Sequence, residues 1–206
     1  MNKLRTALNS SLPGSTAQEI MAPHPMIIEG VEGKHSSPPV KSAVMLLFVP
    51  DADELSIAFI KRTDKGRYHA GQIAFPGGRT EPEDKNELET ALRECREEVG
   101  VLPEDIFVLG RLSDIYIPLS NFQITPIVGA VLKKPDFCLC EDEVEKVLLV
   151  KLSELFKPEN KTKSSFYRHN HEIIAPGYQI GEHFIWGATA MIISELEHIF
   201  NRPLRD

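Results

Sequence analysis

The chain has 206 residues, 42% hydrophobic and 26% charged, which is enough apolar material for one large domain or one domain with extensions. Lys and Arg number 23 against 30 Asp and Glu, and a net charge of −7 excludes a broad basic surface for nucleic acid. Three unevenly spaced cysteines (95, 138 and 140) exclude a disulfide framework, and the longest apolar stretch, Ala43 to Val49, is far short of the ~20 residues of a membrane span. With an amphipathic start and no apolar leader, the expectation is a soluble cytoplasmic protein with reduced thiols.

Residues 1–21 read as one or two short helices, with Leu4, Leu8 and Leu12 spaced for one face. Residues 22–41 are rich in Pro, Gly, Ser and His and read as a connecting arm, so the expected division is 1–41 arm and linker, 42–206 main domain. A strand over Ser42–Val49, a turn at 50–53 and a second strand from Glu54 to Arg62 predict a hairpin. Gly71–Phe75 reads as a short strand ending at Pro76-Gly77-Gly78. The clearest helix spans Lys85 to Val99, with Asp84 placed to cap its start. Strand-like segments follow at Ile106–Tyr116, Gln123–Leu132, Val144–Val150 and Phe166–Phe184, and Gly187–Phe200 closes the chain as an amphipathic helix. Hairpins without regular βαβ units predict an α+β fold with a mixed β-sheet. Cys138 and Cys140 read as two half-buried residues on one face of a strand, and His169 and His171 as neighbours on another.

Charge is segregated over residues 61–105. Lys61, Arg62, Lys65, Arg67 and Arg79 precede a strongly acidic stretch from Glu81 to Asp105. At about 100° per residue, Leu88, Ala91, Leu92, Cys95 and Val99 form a core-facing stripe. Glu94, Glu97 and Glu98 share the adjacent sector, where like charges at these spacings repel by about 0.2–0.5 kcal/mol per pair. Arg93 and Arg96 project away from that sector on the helical wheel. The geometry fits either a divalent-cation site with hard oxygen ligands or an acidic surface helix.

Gly78, Asp84 and the run Arg93-Glu94-Cys95-Arg96-Glu97-Glu98-Val99-Gly100-Val101 resemble the Nudix box, G-x5-E-x7-R-E-U-x-E-E-x-G-U with U aliphatic. Asp84 stands for the first Glu, eight residues rather than seven precede Arg93, and Cys95 takes an aliphatic position. Upstream, Arg62-Thr63, Arg67, Gly71 and Phe75-Pro76-Gly77-Gly78 resemble L-L-T-x-R-(S/T)-x3-R-x3-G-x3-F-P-G-G, which marks the coenzyme A pyrophosphatase branch. The opening Leu-Leu-Thr is replaced by Ala58-Phe59-Ile60. Ser120-Asn121-Phe122 and Trp186-Gly187-Ala188 also have the look of that branch.

The resemblance implies a Nudix fold, a mixed sheet sandwiched between helices, and hydrolysis of a nucleoside diphosphate derivative using Mg²⁺ or Mn²⁺. The substrate would be a small molecule, coenzyme A or a related nucleotide, with neither nucleic acid nor membrane as partner, and a homodimer is the expected assembly. Glu94 and Glu98 would be the principal metal ligands, with Glu97 a further ligand. Arg93 would steady the motif by an ion pair. The general base would be Glu97 or a member of Glu141-Asp142-Glu143, a segment that also reads as a solvated turn. Arg62 and Arg67 would bind phosphates or pair with the acidic helix, and Gly77, Gly78, Asn121, Phe122 and Trp186 are candidates for the substrate pocket.

Overall fold

Strict alternation of apolar side chains divides the central strand between two cores. In β1 (Val40–Asp51), Ala43, Met45, Leu47 and Val49 face one side, and Leu46 and Phe48 face the other. β2 (Glu54–Arg62) repeats the division, Ala58 and Ile60 against Ile57 and Phe59. A strand apolar on both faces belongs in the middle of a covered sheet. The computed structural model describes residues 2–25, 35, 37–64, 71–168 and 171–202.

The main sheet runs β3 (Ile73–Ala74), β2, β1, β7 (Phe122–Ala130), β5 (Phe107–Arg111). β4 (Gly77–Arg79) pairs with β1, β6 (Ile115–Ile117) with β7, and β8 (Val144–Lys151) runs antiparallel along β2. β1 and β7 are parallel, aligning Val40 with Phe122, while the other pairings described are antiparallel. This is the mixed sheet of the expected α+β class. Helix α3 (Glu87–Val99) covers one face through Ala91, Cys95 and Val99. Helix α5 (Gly187–Phe200) covers the other through Ala190, Met191, Ile193 and Leu196.

Four strand readings change. The segment 106–116 divides into β5 and β6 around the buried Leu112. Gly77–Arg79 is itself a strand, because β1 is long enough to pair with it beyond the hairpin. The run 166–184 is no single strand: β9 (Lys161–Arg168), β10 (His171–Ile180) and β11 (His183–Trp186) form a separate antiparallel sheet. His171 therefore opens β10, and His169 lies outside the described residues. Cys138 and Cys140 lie on a loop, where Phe137 and Leu139 turn toward the core and Cys138 is exposed.

The first helices, α1 (Asn2–Leu8) and α2 (Ser15–Gln18), add Leu4, Leu8 and Leu12 to the core on the α5 side. Their attachment is polar as well as apolar. Fully buried Glu195 of α5 accepts hydrogen bonds from Gly14 N (3.1 Å), Gln18 Nε2 (2.8 Å) and Ser113 N (3.3 Å), and Ser194 Oγ donates to Ala17 O (2.7 Å). A buried carboxylate is tolerated here because donors from three segments surround it. Glu195→Ala strands those donors and is expected to lower stability by about 2–4 kcal/mol. Denaturant unfolding measures the loss, and faster hydrogen exchange at residues 14–18 locates it.

Candidate active site

The site forms where β4 passes under α3. A Cβ at Gly77 would lie 2.4 Å from Ala43 O and 2.7 Å from Val44 Cα, and one at Gly78 would lie 2.3 Å from Glu94 Oε1. Glycine therefore lets this backbone touch β1 on one side and the acidic helix on the other. Gly77 N–H donates to Glu98 Oε2 at 2.8 Å. Helix α3 is capped by Asn86, whose side chain accepts from Glu89 N, and it ends at Gly100 in the left-handed conformation (φ 74°). Asp84, expected as the cap, instead braces Arg93.

Arg93 is the hub. Its Nε and Nη2 reach Asp84 Oδ1 and Oδ2 at 3.1 and 3.0 Å, while Nη1 contacts Glu94 Oε1 and Glu97 Oε2 at 2.9 Å each. Nη2 also donates to the carbonyl of Arg79 (2.9 Å), tying helix to strand. The helical wheel places Arg93 off the carboxylate sector, but its long side chain folds back across it, so the trio does contain a cation. Arg93 holds the Asp84 carboxyl down to about 2, with Glu81 N–H and Thr90 Oγ1 adding hydrogen bonds. The carboxylates in turn push the Arg93 pKa upward.

Burial grades the three glutamates. Their side chains are 50%, 14% and 1% exposed at Glu97, Glu94 and Glu98. Burial raises the pKa of Glu94 and pushes Glu98 up to about 7, in each case against a nearby arginine. Arg62 Nη2 lies 3.2 Å from Glu98 Oε1 and donates to Gly77 O at 2.9 Å. Glu98 Oε1 nevertheless accepts no well-directed hydrogen bond and is shut away from solvent. One of the two roles expected of Arg62, the ion pair with the acidic helix, is present. Arg67 lies outside the described residues.

A strap completes the rim. Cys138 N–H donates to Val99 O and Cys140 N–H to Glu98 O, each at 3.1 Å, filling carbonyls that a helix end leaves open. Farther along, Glu143 O accepts from Thr63 N and Asp142 O from Thr63 Oγ1. Glu141, Asp142 and Glu143 form the expected exposed turn, yet Glu143 is near enough for its charge to raise both Glu94 and Glu98. At the opposite rim, Phe122 lies under Arg79, whose guanidinium carbon is 5.0 Å from the ring centroid. Asn121 is buried and donates to Ser37 O and Pro38 O, and Trp186 packs on Phe166. The sequence reading gave Arg79 no role. Its position beside Gly78 was the signal available.

Comparison with known proteins agrees with this architecture. Residues 39–169 match the NUDIX domain family. The chain is 38% identical over 151 residues to a Pectobacterium atrosepticum protein named "Uncharacterized Nudix hydrolase NudL", covering 72% of this chain and 77% of that one. It is 37% identical over 161 residues to a protein of the same name from Yersinia enterocolitica, covering 77% and 81%. Among solved structures, a MutT/nudix family protein from Enterococcus faecalis superposes with a TM-score of 0.54 at 18% identity, covering 81% of this chain and 64% of that chain. The Nudix hydrolase RenU from M. smegmatis gives 0.52 at 11%, covering 80% and 88%. These two bear on the fold alone. The chain belongs to the Nudix family. It is a Nudix hydrolase with the Nudix fold.

The Asp84–Arg93 pair carries a pH signature. Its folded carboxyl lies near 2, below the usual 3.8, so the stabilisation is complete above about pH 4 and is lost as pH falls toward 2. Asp84→Asn is expected to cost about 2 kcal/mol at neutral pH, with the difference from the unsubstituted protein vanishing near pH 2 in acid-unfolding curves. The glycines separate fold from site. Gly77→Ala drives a methyl into β1 backbone and is expected to lower Tm by several degrees. Gly78→Ala meets the carboxylate of Glu94 rather than backbone, so Tm is expected to fall less than in Gly77→Ala while hydrolysis falls sharply.

Proposed function

We propose that the protein hydrolyses the diphosphate bond of coenzyme A or its derivatives, giving 3′,5′-ADP and (acyl-)4′-phosphopantetheine. The catalytic domain runs to residue 206 and is preceded by an arm and linker; because β1 begins at Val40, the strand takes in the last two residues of the expected 1–41 arm. The observation that carries this reading is the union of Phe75-Pro76-Gly77-Gly78 with the graded carboxylates: the glycine turn donates to Glu98 and touches Glu94. The departure from the branch signature falls in the core. Ala58, Phe59 and Ile60, standing for Leu-Leu-Thr, are all fully buried in β2 and face the two cores. Replacing Thr by Ile60 thus alters packing and removes no group from the site.

Nudix hydrolases use divalent cations, and these residues fit one. The donors are all carboxylates, suited to Mg²⁺ or Mn²⁺, and the buried Glu98 Oε1 lacks a hydrogen-bond donor. Among the described residues, no three acidic, His or Cys side chains already converge at ligand geometry. Arg93 and Arg62 engage the carboxylates instead. Glu94 and Glu98 would hold the cation, with Glu97 as a further ligand. A bound cation screens the diphosphate charge and lowers the pKa of water.

The protein's own groups do the rest. Arg93 keeps Glu94 and Glu97 in one register, and Arg62 fixes Glu98 against the glycine turn. Gly77 and Gly78 let the protein backbone come close to the bound diphosphate, Phe122 borders the site under Arg79, and Arg67 would bind a phosphate. The proton of the attacking water goes to Glu97 or to Glu143. Glu97 is half exposed and already paired with Arg93, whereas Glu143 is brought toward Glu94 and Glu98 on the anchored strap. That favours Glu143.

The test is hydrolysis of a panel with Mg²⁺ or Mn²⁺: coenzyme A, acyl-coenzyme A, ADP-ribose, dinucleotides and nucleoside triphosphates, with products identified by chromatography. Coenzyme A compounds are expected to turn over fastest, and rapid turnover of another member alone would sink the assignment. Glu98→Gln is expected to abolish turnover. Glu143→Gln is expected to lower kcat by about 10²–10⁴-fold, and Glu97→Gln by much less. The reverse order would return the base to the helix.

A further inference from the structure

Three described arginines surround the Gly77-Gly78 turn, and they differ in what they have left to offer. Arg93 spends its donors on Asp84, Glu94, Glu97 and Arg79 O. Arg62 is directed to Gly77 O and Glu98. Arg79 is different: it is exposed, and among the described residues no carboxylate or carbonyl takes its guanidinium. Its guanidinium lies over the face of Phe122. A guanidinium resting on a ring is oriented without using its N–H groups, which stay in their own plane for a bidentate acceptor.

The register places this arginine relative to the carboxylates. Gly78 pairs with Ala43, whose side chain faces the α3 core, and the Cα–H of Gly78 points at Glu94. Arg79 is the next residue along the strand, so its side chain leaves from the opposite face of the sheet. Phe122 stands on that same face, two residues before Ile124, which packs in the α5-side core. An anion bound by Arg79 is therefore not the phosphate being cleaved between Glu94 and Glu98. It lies across the sheet rim, reached from the residue next to Gly78 but on the opposite face from Glu94.

A nucleotide carrying a second phosphate on its ribose has this layout: a diphosphate at one carbon and a phosphate monoester on the same sugar. We propose that Arg79, held by Phe122, is the binding residue for a nucleoside 3′-phosphate and sets the preference for substrates that carry one. This rests on the diphosphatase reading above. A doubly charged phosphate monoester presents three acceptor oxygens, which suits the guanidinium edge. Phe122→Leu keeps apolar bulk but removes the ring that orients Arg79, so it acts in the same direction more weakly.

Calorimetric binding of 3′,5′-ADP and 5′-AMP to the full chain tests this without requiring catalysis, alongside turnover of coenzyme A and 3′-dephospho-coenzyme A. The unsubstituted protein is expected to bind 3′,5′-ADP at least about tenfold more tightly than 5′-AMP. Arg79→Gln is expected to erase that difference at unchanged Tm, raising KM for coenzyme A by about tenfold to a hundredfold while leaving 3′-dephospho-coenzyme A unaffected. Arg79→Lys should recover part of the preference. Equal binding of the two nucleotides by the unsubstituted protein, or equal losses for both substrates in Arg79→Gln, would overturn the assignment. Failure of the diphosphatase reading shows separately, as no turnover of either coenzyme A compound whatever the calorimetry gives.

Discussion

The grip of Arg93 is the constraint on which the site depends. Four carboxylates, those of Asp84, Glu94, Glu97 and Glu98, crowd one end of α3 with little solvent to screen the inner ones. Without a cation their repulsion would splay the helix from the strand beneath it. One guanidinium answers three of them and also takes the backbone carbonyl of Arg79. The same contact that neutralises the cluster thereby fixes the spacing between β4 and α3. A lysine has the charge but not the fork, and could not serve both ends.

Glu98 shows what that scaffold makes tolerable. A carboxylate with a side chain only 1% exposed is costly unless paired, and here Gly77 N–H and Arg62 offset only part of the cost. The remaining oxygen has no donor. The site retains a strain that a structural residue would have relieved by rotating outward. The glycine turn supplies the room, since any side chain at Gly78 would displace Glu94.

Much of this was legible in the sequence because it rests on periodicity. β2 and α5 fall where alternation and the 3.6-residue repeat place them, and the α3 core stripe is the one observed. What escaped the sequence depended on side-chain reach or distant pairing. A helical wheel sends Arg93 outward because it records where a side chain starts, not where a six-atom arm ends. Asn86 rather than Asp84 caps α3 because the loop turns Asp84 back toward Arg93. Gly77–Arg79 reads as a turn locally and becomes a strand only because β1 offers a free edge. Arg79 and Phe122, 43 residues apart, meet through the parallel pairing of β1 with β7, which no local pattern announces.

The strap over residues 138–143 closes the end of α3 with its own N–H groups, one of them bonded to the carbonyl of Glu98 itself. The peptide that carries the innermost carboxylate is thus also the anchor of the segment that carries Glu143. Helix and strap share a clamp, and Thr63 fastens the far side to β2. Surface loops usually absorb changes in length freely. This one has a fixed gauge: a residue gained or lost between Cys140 and Glu143 would shift the two carboxylates relative to each other, while the same change at 133–136 would leave both in place.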